Sequence, residues 1–95
     1  MNKYELAVIL KPTLEEEAQK AEFEKIQELI TKFGGTIDKV DEWGRRKLAY
    51  EIQKLNEGFY RFFTVAAESS VPAEIESRIR LRENVLRYLI ISLED

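Results

Sequence analysis

All seven arginines of the chain lie between positions 45 and 87, and most gather in two groups: Arg45 and Arg46 beside Lys47, and Arg78, Arg80, Arg82 and Arg87. A guanidinium is a rigid fork of donors that matches phosphate and carboxylate oxygens and stacks on rings. Two such groups are candidates for contact with a nucleic acid or an acidic partner. A plainer reading stands beside this one: Arg78 and Arg82 pair with Glu74 and Glu76 as a solvated helix face, which is worth little energetically. Spacing alone gives the two readings equal weight.

Other chemistry is excluded by composition. There is no Cys and no His, which removes disulfides, Cys-based zinc sites, Ser-His and Cys-His nucleophile pairs and imidazole bases. The carboxylate neighbours Asp41 and Glu42, and Glu94 and Asp95, come with no sign of a cleft that would shift their pKa values. Gly34 and Gly35 stand at the C-terminal end of a helix, the wrong end for the dipole to meet phosphate. The sequence predicts a non-enzyme without metal, cofactor or small-molecule substrate.

Against 15 Lys and Arg stand 18 Asp and Glu, a net charge of −3. From residue 39 onward ten positive side chains face ten negative ones, so the whole excess of acid lies in the first 38 residues. Much of it is Glu15, Glu16, Glu17, Glu22, Glu24 and Glu28, against Lys20 and Lys25. Nucleic-acid affinity comes largely from cations that release counterions along the phosphates. The charge map therefore predicts a local Arg surface, open to a nucleic acid or an acidic partner, on a chain whose overall charge disfavours nonspecific nucleic-acid binding.

The elements that must position these residues follow from periodicity. The 95 residues, 44% of them hydrophobic, accommodate one domain, assigned to 1–95. No apolar run approaches the ~20 residues needed to cross a bilayer, and the expected location is cytoplasmic. Alternation of Tyr4, Leu6, Val8 and Leu10 predicts a strand over 3–10. Thr13 and Glu16 suggest a capping box for a helix from about Leu14, with a buried stripe of Leu14, Ala18, Ala21, Ile26, Leu29, Ile30 and Phe33, stopped by Gly34 and Gly35. Strand character returns over 36–53, interrupted at Gly44 by a bulge or bend. A loop at 54–58 then leads to a strand at 59–67. If Ile52 faces Phe59, Leu48 faces Phe63 on one side of this hairpin, while Ala49 faces Phe62 and Glu51 faces Tyr60 on the other. A second helix starts near Ser69, Ser70 and Pro72 and runs to about Arg82, with Ile75 and Ile79 inward, and a last strand covers 85–93.

The order strand, helix, strand, strand, helix, strand predicts an α+β fold: the ferredoxin-like split β-α-β arrangement, a four-stranded antiparallel sheet with two helices on one face. The expected core is Leu6, Val8, Leu10, Leu48, Phe63 and Val65 against Ile26, Leu29, Ile30, Ile75 and Ile79. The open face receives Ala7, Ile9, Tyr60, Phe62, Thr64 and Ala66. Tyr60 and Phe62 there could stack bases or dock a protein, or serve only cross-strand pairing. The run 36–53 exceeds what a nine-residue third strand can pair, so an unpaired edge carrying Lys39 and Trp43 is expected, or else residues 36–42 form an ordinary loop.

The segments WGRRKLAYEI at 43–52, GFY at 58–60, RENVLRYL at 82–89 and YELAVILKP at 4–12, with the paired Gly34 and Gly35, resemble bacterial small-subunit ribosomal protein six over essentially the whole chain. The resemblance implies a ferredoxin-like structural protein of the ribosome that binds small-subunit (16S) ribosomal RNA together with small-subunit ribosomal protein eighteen, its basic partner, in the platform region. On that footing Lys3, Arg45, Arg46, Arg80, Arg82 and Arg87 are the RNA candidates. Trp43, Tyr60 and Phe62 are the candidates for the protein partner. The runner-up is a ferredoxin-like regulatory or ligand-binding domain that dimerises edge to edge.

Overall fold

Alternating side chains make β1 (Asn2–Leu10) a strand with Leu6, Val8 and Leu10 buried on one face. It is followed by α1 (Glu16–Lys32), β2 (Thr36–Ile52), β3 (Leu55–Ala67), α2 (Val71–Ile79) and β4 (Val85–Ser92). The computed structural model describes residues 2–52 and 54–93; the side chain of Ala49, residue Gln53 and the carboxylate pair Glu94 and Asp95 lie outside the described residues. The strands form one antiparallel sheet in the order β2-β3-β1-β4. This is the ferredoxin-like split β-α-β fold expected from the element order.

One face is covered by helices. Leu6, Val8, Leu10, Phe63, Val65 and Ala67 of the sheet pack with Phe23, Ile26 and Ile30 of α1 and Val71, Ile75 and Ile79 of α2. The rings of Phe23 and Phe63 meet at 6.4 Å. The stripe of α1 differs from the expected one: Phe23 and Glu22 are buried and Ala21 is exposed. Phe23 lies three residues before Ile26 and seven before Ile30, on the same helical face, whereas Ala21 lies off it.

The capping box does not form. Glu15 occupies the N-cap position of α1 without a side-chain cap bond, so the helix begins two residues later than Leu14. Its other end is closed as the glycines suggest. The Gly35 amide donates to the Ile30 carbonyl at 2.8 Å and the Gly34 amide to that of Thr31 at 3.1 Å, the paired bonds of a Schellman motif. Gly34 takes φ +93°, and a Cβ on Gly35 would lie 2.8 Å from Ile30 Cγ2. α2 ends at Ile79 rather than Arg82.

The hairpin departs most from expectation. β3 begins at Leu55, and Ile52 pairs with Leu55 instead of Phe59. Residues 55–58, expected in a loop, belong to β3, and Lys54 before them takes φ +65°. Residues 36–47 are paired along β3 from Ala66 to Glu57, so the stretch 36–42 is neither an unpaired extension nor a loop; only the outer edge of β2 is open. A bulge between Glu42 and Gly44, with Gly44 at φ +72°, lets the strand absorb the extra residue. Leu48 is excluded from the core by this register. It lies on the open face with Ala7, Ile9 and Tyr60.

Candidate nucleic-acid interface

Register places the functional side chains in rows. On the open face Gly44, Tyr60, Ile9 and Arg87 form one row across all four strands, and Asp41, Phe62, Ala7 and Leu89 the next. Arg46 stands opposite Gly58 beside the first row. Trp43, at the bulge, leans on Phe62 with ring centroids 4.7 Å apart, and Phe62 meets Tyr60 at 6.4 Å. The result is a continuous aromatic strip that ends in an indole 52% exposed at the edge strand. The three residues expected to face a protein are therefore together.

Four of the six RNA candidates are engaged within the chain. Lys3 reaches across the open face to pair with Asp38. Arg45 points to the helix-covered side, over the Phe59 ring at 4.8 Å, and donates to the Pro12 carbonyl at 3.2 Å and to Glu57 at 3.5 Å. Arg82 donates from Nε and Nη2 to the two carboxylate oxygens of Glu22 at 2.6 and 3.1 Å, and Asn84 adds a third bond to Glu22 at 3.3 Å. Arg87 lies over the Tyr50 ring at 5.4 Å and donates to its hydroxyl. Arg46 and Arg80 differ: both are exposed and neither has an ion pair among the described residues. The Arg46 guanidinium lies 5.7 Å from the Trp43 ring. Trp43, Arg46, Lys47 and Tyr60 line an open groove of about 590 Å³.

Arg45, Arg46, Arg80, Arg82 and Arg87 all stand toward the end of the sheet where β1 finishes and β4 begins. The backbone amide of Lys11 donates there to the carbonyl of Asn84. Lys3, opposite Ala66, is at the far end. The Arg82 hydrogen bond, supported by charge, holds the Glu22 carboxyl below its ordinary range against the opposing effect of burial. The same bond raises Arg82. Neither Arg78 nor Arg82 pairs with Glu74 or Glu76: Arg78 lies over the Phe33 ring at 5.5 Å.

One cation escaped sequence reading. Arg61 faces the helices, 4.1 Å above the Phe23 ring and paired with Glu42. Its buried Nε has no hydrogen-bond partner among the described residues, and burial lowers its pKa. The signal was present in the alternation, since Arg61 is in phase with Phe59 and Phe63. No group of three acidic side chains among the described residues is placed to hold a metal ion, and no helix is long and apolar enough to cross a membrane.

A family model described as ribosomal protein S6 matches residues 3–92. The chain belongs to the ribosomal protein S6 family. Small ribosomal subunit protein bS6 of Clostridium botulinum (strain Hall) is 46% identical over 94 residues, which covers 99% of this chain and 100% of that protein. The crystal structure of 30S ribosomal protein S6 from Thermotoga maritima superposes with a TM-score of 0.91 at 32% identity, over 96% of this chain and 86% of that one. The C-terminal domain of MgtC from Mycobacterium tuberculosis shares the fold at a TM-score of 0.62 with 10% identity over 97% of this chain and 87% of that one. That likeness shows how little the fold alone says about function. Membership of the S6 family, in contrast, makes this a structural protein of the small subunit of the cytoplasmic ribosome and not an enzyme.

Proposed function

We propose that the chain, acting as one ferredoxin-like unit, binds small-subunit ribosomal RNA together with small-subunit ribosomal protein eighteen in the platform region. The observation that carries this reading is Arg46 beside Trp43: a guanidinium without a carboxylate, on the open face, against an exposed indole. Arg is suited to phosphate, and an exposed aromatic strip is suited to a second surface. Arg46 and Arg80 lead the RNA contacts, with Lys3, Arg45, Arg82 and Arg87 as groups that exchange their present partners or lend them support. Trp43, Tyr60 and Phe62 meet the protein partner.

The net charge of −3 makes this a joint activity, because a basic partner supplies cations that the chain lacks. The test is binding of a central-domain fragment of small-subunit ribosomal RNA, followed by gel shift at several salt concentrations. The expected result is weak binding by the chain alone and binding tighter by orders of magnitude when protein eighteen is added. Strong, salt-insensitive binding by the chain alone overturns the reading.

A further inference from the structure

β2 and β4 are the two outer strands of the sheet, yet Tyr50 of one touches Arg87 of the other. Near this contact the register of the ladder between β2 and β3 slips once more, between Lys47 paired with Glu57 and Ile52 paired with Leu55. At this end of the hairpin Tyr50 reaches over the open face to Arg87. Beneath it lies a hollow of about 260 Å³, lined mainly by Ile9, Leu48, Ile52, Tyr60 and Leu89 and rimmed by Tyr50 and Arg87. Gly58 permits the approach, for a Cβ at that position would lie 2.5 Å from Ile9 Cγ2 and 3.7 Å from Leu48 Cδ2.

From this arrangement we infer that Arg87 is a two-position latch, held by Tyr50 in the free chain and transferred to an RNA phosphate on binding, so that RNA engagement releases the hairpin tip. The inference rests on the RNA-binding reading above. A phenol hydroxyl is a neutral acceptor. A phosphate is a charged one that accepts two parallel bonds from a guanidinium, and it makes the stronger pair. Arg87 has no carboxylate partner among the described residues, so only the Tyr50 contact must be given up. Release uncovers Ile9 and Leu48 beside the already exposed Leu89, and these run through Tyr60 into the aromatic strip assigned to the protein partner. RNA and protein partner then favour the same open state, and each tightens the other by linkage.

Two measurements test the latch, one on the full chain alone and one on the complex. Tyr50→Phe keeps the ring and removes the hydroxyl. Amide hydrogen exchange in residues 50–56 is expected to rise roughly three- to tenfold in this variant, the range that corresponds to loss of about one exposed hydrogen bond, with exchange in β1 and α1 unchanged. The same variant is expected to bind the central-domain RNA fragment, in the presence of protein eighteen, several-fold more tightly than the wild type. Arg87→Ala weakens RNA binding and abolishes the gain from Tyr50→Phe in the double variant. If RNA binds but Tyr50→Phe changes neither tip exchange nor affinity, the latch is overturned while the functional reading stands. If the tip loosens without a gain in affinity, the transfer to phosphate is overturned. If no variant binds the fragment even with protein eighteen present, the functional reading fails and the switch fails with it.

Discussion

Arg82 and Arg46 carry the same group at the same end of the sheet and meet opposite fates. Arg82 is gripped by Glu22, a carboxylate only 5% exposed and fixed further by Asn84. Arg46 lies over an exposed indole with no acid to neutralise it. The difference follows from the faces on which they stand. The helix-covered side brings α1 over the segment that leads into β4, so a charge there must be matched within the chain. The open side has no cover, and a charge there costs nothing until something arrives. The two arginine groups of the sequence thus sort across their boundary into two other populations, one that holds the fold together and one that awaits a partner.

The sharpest way to break the comparison is to remove the acid. Glu22→Ala leaves the Arg82 guanidinium without its bidentate acceptor, and loss of one partner of a largely buried pair costs about 3 kcal/mol. For a chain of this size the melting temperature should fall by roughly 10–20 °C, as read by circular dichroism or calorimetry. RNA affinity measured well below that temperature should be unchanged if Arg82 serves the fold. Trp43→Ala makes the opposite claim. It should leave melting within about 0.5 kcal/mol of the wild type, as an exposed position does, and weaken the complex with RNA and protein eighteen by about 2 kcal/mol, the size of an interface hot spot. Isothermal titration of protein eighteen checks it.

The pair also has a pH signature. The Glu22 carboxyl titrates below its ordinary value because Arg82 hydrogen-bonds to the ionised form, so the folded state binds that proton less readily than the unfolded chain. The stability it contributes is fully present above the ordinary value near 4.5. It is lost as pH falls from there through the lowered folded-state value. Arg82, with its pKa raised, stays charged throughout this window. Urea unfolding between pH 7 and pH 3 should therefore show the gap between wild type and Glu22→Gln closing as the pH drops. A gap that is constant over that range would mean that the pair contributes by packing alone.

What the sequence made legible was whatever depends on local period. The order of elements, the inward faces of β1 and α2, the Gly34 and Gly35 stop and the open-face positions of Tyr60 and Phe62 all follow from alternation, helical spacing or a single residue's backbone preference. Register did not. It was anchored on a loop at 54–58, but Lys54 adopts a left-handed conformation that a non-glycine residue does not advertise, and a shortened turn moves every partner along the ladder. The turn alone moves partners by an even number of residues and keeps each side chain on its face; the further slip of the ladder between Lys47 and Ile52 carries Leu48 from the expected core to the open face. The pairing of Glu22 with Arg82 spans 60 residues, and nothing in either neighbourhood encodes the other. Of the candidate site, the identities of the cations could be read in advance, whereas the division between bound and free ones is a property of tertiary packing.

Arg45 is the case that tests whether this division is sharp, because it belongs to both populations. Its neighbour Arg46 is free, but Arg45 itself lies over Phe59 and shares contacts with Glu57 and the Pro12 carbonyl at distances of 3.2 to 3.5 Å. These contacts are long and exposed, and exposed pairs contribute little. Arg45→Ala should change stability by no more than about 0.5 kcal/mol, the smallest effect in the series, within the scatter of a urea titration. Its effect on RNA is then decisive. If Arg45 contacts a phosphate, Arg45→Ala lowers the salt dependence of binding by about one counterion, measured as the slope of log affinity against log salt for the complex with protein eighteen. An unchanged slope would place Arg45 with Arg82 on the structural side despite its exposure, and would leave Arg46 to carry the cationic role of this segment of β2.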